Sequence, residues 1–205
     1  MLSSITPLGE RGRNNRWSLT VASYMAASRS GGAATGVVLG GVGEVVLRAL
    51  PSDPVSVQVR LLALALIAAA GVVVDLGLVG ARVPTLRRQV DEQWIGRYRG
   101  WVYGAGFGFQ LGAGVVTVVT SAIVWVALAA ALLSASWEVG LVLGVVFGVV
   151  RSLPVLLTAP VRSPAALHVL HQRNQRWARA GVGLAIVGQA LTIGGAVVLA
   201  STATS

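Results

Sequence analysis

Long apolar stretches separated by short arginine-bearing loops constrain this chain more than any other feature. Five apolar segments can be drawn, at about 32–50, 61–80, 101–134, 139–158 and 180–201. Each approaches or exceeds the roughly 20 helical residues needed to span about 30 Å of hydrocarbon. Because hydrocarbon satisfies no backbone polar group, we predict an all-α, polytopic integral membrane helix bundle with about five transmembrane helices.

The positive charge gives this bundle an orientation. All sixteen basic residues are arginine, and lysine is absent beside abundant Ala, Gly and Val, a composition that we take as typical of a GC-rich bacterial genome. Thirteen arginines lie on one side of the spans, against Arg48 and Arg60 on the other. The thirteen are Arg11, Arg13, Arg16, Arg29, Arg82, Arg87, Arg88, Arg97, Arg99, Arg162, Arg173, Arg176 and Arg179. Since cytoplasmic loops are enriched in basic residues, we predict a multi-pass inner-membrane protein with a cytoplasmic N-terminus and an external tail at 202–205.

The composition excludes several function classes. Hydrophobic residues make up 55% of the chain, charged residues 11%, and the mean hydropathy is +0.76, more apolar than a soluble core of this size requires. The net charge of +9 is spread over loops that flank apolar helices. Anionic lipid headgroups are therefore the expected partner of these arginines, and no nucleic acid is expected. The chain has no cysteine, which excludes disulfides and thiolate metal sites.

The N-terminal part is predicted as a cytoplasmic segment, residues 1–31. Within it, 17–30 is moderately apolar but too short to span, so we expect a short interfacial helix. No cleavable signal peptide is expected, and residues 32–201 would form a single transmembrane bundle. The loop at 82–99 carries dense charge of both signs. It is predicted either as an amphipathic helix that buries Val90, Trp94 and Ile95 or as a solvated connector.

The third segment, 101–134, is too long for a single straight span. Five glycines fall between Gly104 and Gly114. Each weakens a helix by about 0.8–1 kcal/mol relative to alanine. We therefore predict a bend, a strong tilt or a break in this segment.

Glycines recur every fourth residue in three of the segments. Residues four apart share a helix face, so this spacing predicts smooth grooves through which backbones pack closely. The alternative is that the grooves let helices slide or rock, as in transporters. The glycines are Gly32, Gly36 and Gly40, then Gly104, Gly108 and Gly112, then Gly140, Gly144 and Gly148.

Three ionisable residues, Glu44, Asp75 and Arg151, fall inside apolar segments, where each costs about 2.5–3.5 kcal/mol unless it is paired. Glu44 precedes Arg48 by one turn, which predicts a local pair. Asp75 and Arg151 lie at similar depth near the cytoplasmic ends of their spans. We predict a buried interhelical ion pair between them, with a proton- or ion-coupling site as the alternative.

Polar residues also follow one face of the third segment, namely Gln110, Thr117 and Ser121. They either hydrogen-bond neighbouring helices or line a polar path. Gln189 and Thr192 add polar groups at the middle of the last span.

No catalytic, cofactor or metal site is expected. His168 and His171 can share a helix face, but no carboxylate or thiol lies near them in sequence and the surrounding arginines repel cations. The chain offers no Ser/His/Asp set and no paired carboxylates at helical spacing within a span, so we do not expect an enzyme.

The stretch from Tyr98 to Gly114, YRGWVYGAGFGFQLGAG, is followed by Val115 to Thr120 and by Gly140 to Leu157, which contains Arg-Ser-Leu-Pro at 151–154. This pattern resembles the transmembrane unit of the DsbD/CcdA family, in which a glycine-rich helix follows a basic loop and the next helix ends its glycine-rich stretch in Leu-Pro. Members of that family shuttle electrons through membrane cysteines. Because this chain has no thiol, the resemblance implies the fold without the exchange chemistry.

Two functions are compatible with these features. The first is a non-catalytic membrane subunit or assembly component, within a homo-oligomer or a larger membrane complex. The alternative is a small-solute or ion transporter component that uses Asp75, Arg151 and the polar stripe.

Overall fold

A computed structural model describes residues 5–49, 56–80, 93–114, 119 and 121–202. Every regular element in this part of the chain is helical, which confirms the all-α prediction. The elements are α1 (Pro7–Gly12), α2 (Trp17–Ala49), α3 (Val57–Asp75), α4 (Gln93–Arg97), α5 (Gly100–Ala113), α6 (Ile123–Leu133), α7 (Trp137–Ser152), a 3-10 helix (Leu153–Thr158) and α8 (Pro164–Thr202).

Four helical stretches in the described ranges are long and apolar enough to cross a membrane. They are Trp17–Ala49, Val57–Asp75, Trp137–Thr158 and Ala180–Thr202, and the shorter Ile123–Leu133 is apolar as well. Large apolar side chains on their outer faces are exposed; Leu66 and Leu184, for example, are 72% and 73% exposed. Leucines exposed on this scale fit contact with lipid rather than water. The protein is therefore a membrane protein with a helical bundle.

The N-terminal region differs from the prediction of a separate interfacial helix at 17–30. Helix α2 continues without interruption from Trp17 to Ala49, and at 1.5 Å per residue it is about 50 Å long. Arg29 and Ser30 interrupt the hydropathy but lie on the exposed face, while Ser28 is fully buried. Because Arg29 interrupts the apolar run, the length of apolar sequence alone did not predict that the helix is continuous.

The third predicted span is two helices, so among the predicted alternatives the break is correct. Helix α5 ends at Ala113, Gly114 adopts a φ of +75°, and α6 begins at Ile123. Glycine takes this left-handed conformation without the clash that a Cβ would cause. The hydroxyl of Thr35 on α2 donates to the Ala113 carbonyl over 3.2 Å, which satisfies part of the exposed end of α5.

Two other segments differ in extent from their predictions. Helix α8 begins at Pro164 rather than near 180 and is 39 residues long. Most of the predicted loop at 82–99, including Val90, lies outside the described residues. Its described part contains α4, whose Trp94 and Ile95 pack against a buried core cluster. The cluster consists of Ile5, Val21, Tyr24, Tyr103, Phe107 and Val155.

The glycine faces bring α2 into backbone contact with α7 on one side and α5 on the other. A Cβ on Gly36 would lie 2.0 Å from the Gly140 carbonyl oxygen, and one on Gly140 would lie 2.2 Å from the Gly36 oxygen. Gly32 and Gly144 form the same reciprocal contact. These are the close helix approaches that the four-residue spacing predicted.

On the α5 side, the contacts run in parallel register. Gly104, Gly108 and Gly112 face the backbone of α2 at Thr20, Tyr24 and Ser28. The carbonyl of Ser28 also faces Gly148, and its hydroxyl donates to the Gly148 carbonyl over 2.8 Å. Ser28 therefore marks the point where α2, α5 and α7 meet.

Candidate functional site

The break between α5 and α6 places a helix N-terminus inside the bundle, and Asp75 covers it. Asp75 is the last residue of α3. Its Oδ1 accepts from the Ala122 amide over 2.9 Å, and its Oδ2 accepts from the Ser121 hydroxyl over 2.7 Å. Ala122 occupies the N-cap position of α6, and its methyl side chain cannot accept a hydrogen bond from the helix amides. A carboxylate is favoured at a helix N-terminus because the first amides there carry partial positive charge and lack helical partners.

The other end of α6 is held by the same neighbouring helix. Arg60 near the start of α3 donates from Nη1 to the carbonyl oxygens of Leu133 and Ser134, over 3.2 and 3.0 Å. A cation beside the last carbonyls of a helix complements its partial negative charge. Helix α3 therefore binds α6 at both ends, with an acid at the N-terminus and a base at the C-terminus.

Arg151 lies near the other end produced by the break. Its guanidinium stacks over the Phe147 ring, 5.2 Å from the centroid. Its Nη1 lies 3.8 Å from the point that a Cβ of Gly114 would occupy, beside the C-terminus of α5. The two intramembrane charges thus lie beside helix ends of opposite polarity, an arrangement that the macrodipole favours.

The predicted ion pair between Asp75 and Arg151 does not occur among the salt bridges of the described residues. The salt bridges within the described residues join Arg13 to Glu10 and Arg48 to Glu44. The sequence places Asp75 and Arg151 at similar depth, but Asp75 bonds the start of α6, whereas Arg151 lies beside the end of α5. The distance of 2.5 Å between Glu44 and Arg48 confirms the other predicted pair.

Gln189 on α8 completes the Asp75 cluster. It is fully buried, and its Nε2 donates to Asp75 Oδ2 over 2.7 Å. Its Oε1 has no hydrogen-bond partner in the described part of the chain and faces Gly71, where a Cβ would lie 2.9 Å away. A buried acceptor without a partner costs roughly 1–3 kcal/mol. The hydrogen bonds of Asp75 therefore join α3, α6 and α8, while the Oε1 atom of Gln189 has no hydrogen-bond partner in the described residues.

The predicted polar stripe does not form a single helix face. Gln110 belongs to α5, while Ser121 precedes α6 on the other side of the break. Thr117 lies outside the described residues. Ser121 nevertheless forms a hydrogen bond to the neighbouring helix α3, since it donates to Asp75. Such interhelical bonding was one of the two predicted roles of these polar residues. Thr192 donates to the carbonyl of Gly188 within its own helix.

A second carboxylate network, centred on Glu10 of α1, was not anticipated from the sequence. It is fully buried, bonds Arg13 at 2.7 Å, and accepts from Thr20 over 2.9 Å and from the Tyr103 hydroxyl. The network fastens α1 to α2 and α5. The sequence does signal the start of α1, since Thr6 followed by Pro7 is a helix-start pattern, and the Thr6 hydroxyl accepts from the Gly9 amide over 3.0 Å. It does not signal the burial of Glu10.

Comparison with known proteins gives a limited relationship. No family model matches the chain, and no solved structure matches it. The chain is 28% identical over 156 residues to the methylamine utilization protein MauF of Methylophilus methylotrophus. The match covers 75% of this chain and 53% of the relative, so the chain spans about half the length of the curated relative that it matches. The chain is therefore similar in sequence to part of a protein named for methylamine utilization.

Proposed function

We propose that this protein is a non-catalytic subunit or assembly component of the bacterial inner membrane, acting in methylamine utilization. The link to methylamine rests on the similarity to MauF. The DsbD/CcdA-type resemblance of residues 98–120 and 140–157 is part of the same proposal, without thiol redox activity because the chain has no cysteine. Five crossings enclose little space, so the proposed setting is a homo-oligomer or a larger membrane complex.

The observation that carries the non-catalytic role is the use made of the intramembrane charges. Asp75 binds the start of α6, Arg60 binds its end, and Arg151 lies at the end of α5. In membrane proteins, charged residues inside spans normally mark either a pathway or a structural pairing. Asp75 and Arg60 bond the two ends of α6, which favours a role of these charges in stabilising the bundle.

The proposed topology has a cytoplasmic N-terminus and an external C-terminus, as the arginine distribution favours. It is tested by single cysteines in this cysteine-free chain. An impermeant thiol reagent added outside intact cells should label Ser52→Cys and leave Gln172→Cys unlabelled until the cells are opened. External labelling of Gln172→Cys would contradict the orientation.

The cellular role is tested by deleting the gene in its bacterial host. Growth on methylamine as the nitrogen source should slow, growth on ammonium should not, and a plasmid copy should restore the rate. Uptake of labelled methylamine by the deletion strain should remain normal, because the proposed defect lies in assembly rather than entry. Equal growth of the deletion and parent strains on methylamine would overturn the proposal.

A transport role is a second candidate, favoured by one observation. Transporters place discontinuous helices around substrate sites, with half-helix ends facing the bound groups. The break between Ala113 and Ile123 has this form, and the uncommitted Oε1 of Gln189 adjoins it. If this role applies, Gln189→Leu should give a folded protein in which methylamine uptake is lost and growth fails through that loss.

A further inference from the structure

A basic cleft opens where the N-terminal segment meets the start of α5. Its volume is about 480 Å³, and the turn between α1 and α2 forms one wall while residues 99–101 form the other. Asn14 in this turn has a φ of +56°, a left-handed conformation that asparagine tolerates better than most residues. The turn brings Arg13 and Arg16 to the cleft that Arg99 lines from the opposite side.

The cleft keeps a positive charge after its internal pairing is counted. Glu10 bonds Arg13 and accepts hydrogen bonds from Thr20 and Tyr103, and its Oε2 lies 2.8 Å from the Cβ position of Gly100. Neither Arg16 nor Arg99 forms a salt bridge with a carboxylate in the described ranges, and no acidic side chain lines the cleft. Within the described residues, one carboxylate therefore offsets at most one of the three guanidinium groups, and those of Arg16 and Arg99 face the cleft without an acidic partner.

The first residues of α5 line the same space. Arg99 occupies the N-cap position of α5 and makes no side-chain capping hydrogen bond. The amides of Val102 and Tyr103 donate to the Arg99 carbonyl. The two amides before them, those of Gly100 and Trp101, precede the first hydrogen bond of the helix, and both residues line the cleft. The start of α5 is fixed in place, because a Cβ on Gly100 would lie 2.3 Å from the Thr20 hydroxyl oxygen. Guanidinium groups and helix-end amides together match the oxygens of a phosphate.

The rim of the cleft is apolar on the side of the spans. Leu19 on α2 is 52% exposed and Trp101 on α5 is 50% exposed, and both line the cleft. Indole side chains favour the headgroup level of a bilayer, and from there α2 and α5 continue as apolar helices. A free phosphate ion has no apolar part that could contact this rim, whereas the acyl chains of a phospholipid can pack along it.

We propose that this cleft binds the phosphate of an anionic phospholipid headgroup, held by Arg16, Arg99 and the first amides of α5. The binding requires neither the proposed function nor the MauF similarity. It would fasten the α1–α2 turn to the start of α5 at the membrane surface, beside the buried Glu10 network.

The test compares lipid retention by the full chain purified in detergent and mixed with phosphatidylglycerol or phosphatidylcholine, measured by native mass spectrometry. The double variant Arg16→Gln, Arg99→Gln should lose about 30-fold in phosphatidylglycerol affinity, since each arginine near an anionic surface contributes about 1 kcal/mol. Arg48→Gln, at the opposite end of α2, removes the same charge type as a matched control and should bind as the wild type does.

The outcomes separate lipid from free phosphate. Preference for phosphatidylglycerol, lost in the double variant and unaffected by excess inorganic phosphate, supports the proposal. Equal retention by the wild type and the double variant would overturn it, and so would displacement of the lipid by inorganic phosphate. Each single variant should show an intermediate loss, and its elution volume and circular dichroism report that it is folded.

Discussion

The half of the bundle built from α2, α5 and α7 and the half built from α3, α6 and α8 associate by different means. In the first, backbones touch because glycines leave nothing between them, as at Gly36 and Gly140. In the second, polar side chains bridge the helices: Arg60 and Asp75 bond the two ends of α6, and Gln189 bonds Asp75. The same membrane environment thus accepts contacts made by removing side chains and contacts made by adding polar ones.

The break in the third segment explains the difference. A continuous helix satisfies its own backbone groups, so a glycine groove is enough to pack it. A helix interrupted inside the bundle exposes amides at one end and carbonyls at the other, and lipid satisfies neither. The charged residues are found where those ends occur.

The largest effect should come from adding a side chain to the glycine contact. Gly36→Leu would place atoms where the Gly140 carbonyl lies 2.0 Å from the Cβ position, so the helices must separate. The cost should exceed the 1–3 kcal/mol typical of overpacked cores. Fluorescence-detected size-exclusion chromatography should show loss of most of the folded peak.

Gly41→Leu serves as the control for this change, since nothing lies within 4 Å of a Cβ at position 41. It should leave the folded peak intact. If both variants gave the same yield, the backbone contact between α2 and α7 would not be what holds that half together.

Removing the charge of Asp75 should have the next largest effect. Asp75→Asn weakens charge-assisted bonds to Ser121 and Ala122 and leaves the α6 amides less well satisfied. Hydrogen bonds to charged groups contribute about 1.5–3 kcal/mol, which lowers the melting temperature of a chain of this size by about 3–10 °C. Thermal unfolding in detergent measures the change.

The same variant tests whether Asp75 and Arg151 interact. Because they lie at different helix ends, the losses of Asp75→Asn and Arg151→Leu should add to within about 0.5 kcal/mol in a double-mutant cycle. Recovery of stability in the double variant would show that the two charges do pair.

A smaller loss is expected at the other end of α6. Arg60→Gln removes two hydrogen bonds to the Leu133 and Ser134 carbonyls. It should cost about 1–2 kcal/mol, or roughly 2–6 °C. Arg48→Gln breaks only an exposed pair worth about 0.3–0.5 kcal/mol and should shift the transition by little more than 1 °C. Equal shifts for the two variants would show that Arg60 does not stabilise α6.

The smallest effect should come from glycines outside any contact. A Cβ on Gly183 or Gly194 of α8 meets nothing within 4 Å, so Gly194→Ala should leave the melting temperature unchanged or raise it by a few degrees through better helix propensity. A large loss at Gly194, with a change in oligomer size on a calibrated column, would show that this face of α8 contacts a second copy.

The spans and the glycine contacts could be predicted because they depend on local patterns. Apolar length predicted Trp137–Thr158 to within two residues and Val57–Asp75 with a displacement of four to five residues, and the four-residue spacing predicted the contacts of Gly32 and Gly36. Equal depth along two helices, in contrast, did not predict pairing of Asp75 with Arg151. Pairing also depends on which way each side chain faces and on where the chain between Ala113 and Ile123 breaks.

The Glu10 network shows another limit of the sequence. The first sixteen residues have no apolar periodicity, so nothing marked Glu10 as a fully buried residue. Its burial depends on Thr20 and Tyr103, which lie 10 and 93 residues away in the chain. A contact of this range becomes visible only once α2 and α5 are known to lie side by side.

The reciprocal contact between Gly36 and Gly140 restricts how this protein can change over generations. In an ordinary core, growth of one side chain is accommodated when its neighbour shrinks, so large and small residues exchange places through paired substitutions. Neither of these glycines has a side chain to give up, and a Cβ on either meets the backbone of the other at 2.0 or 2.2 Å. No second substitution at the partner can compensate for the first. Descendants that keep this helix crossing must keep both residues, while the open glycines of α8 are free to drift.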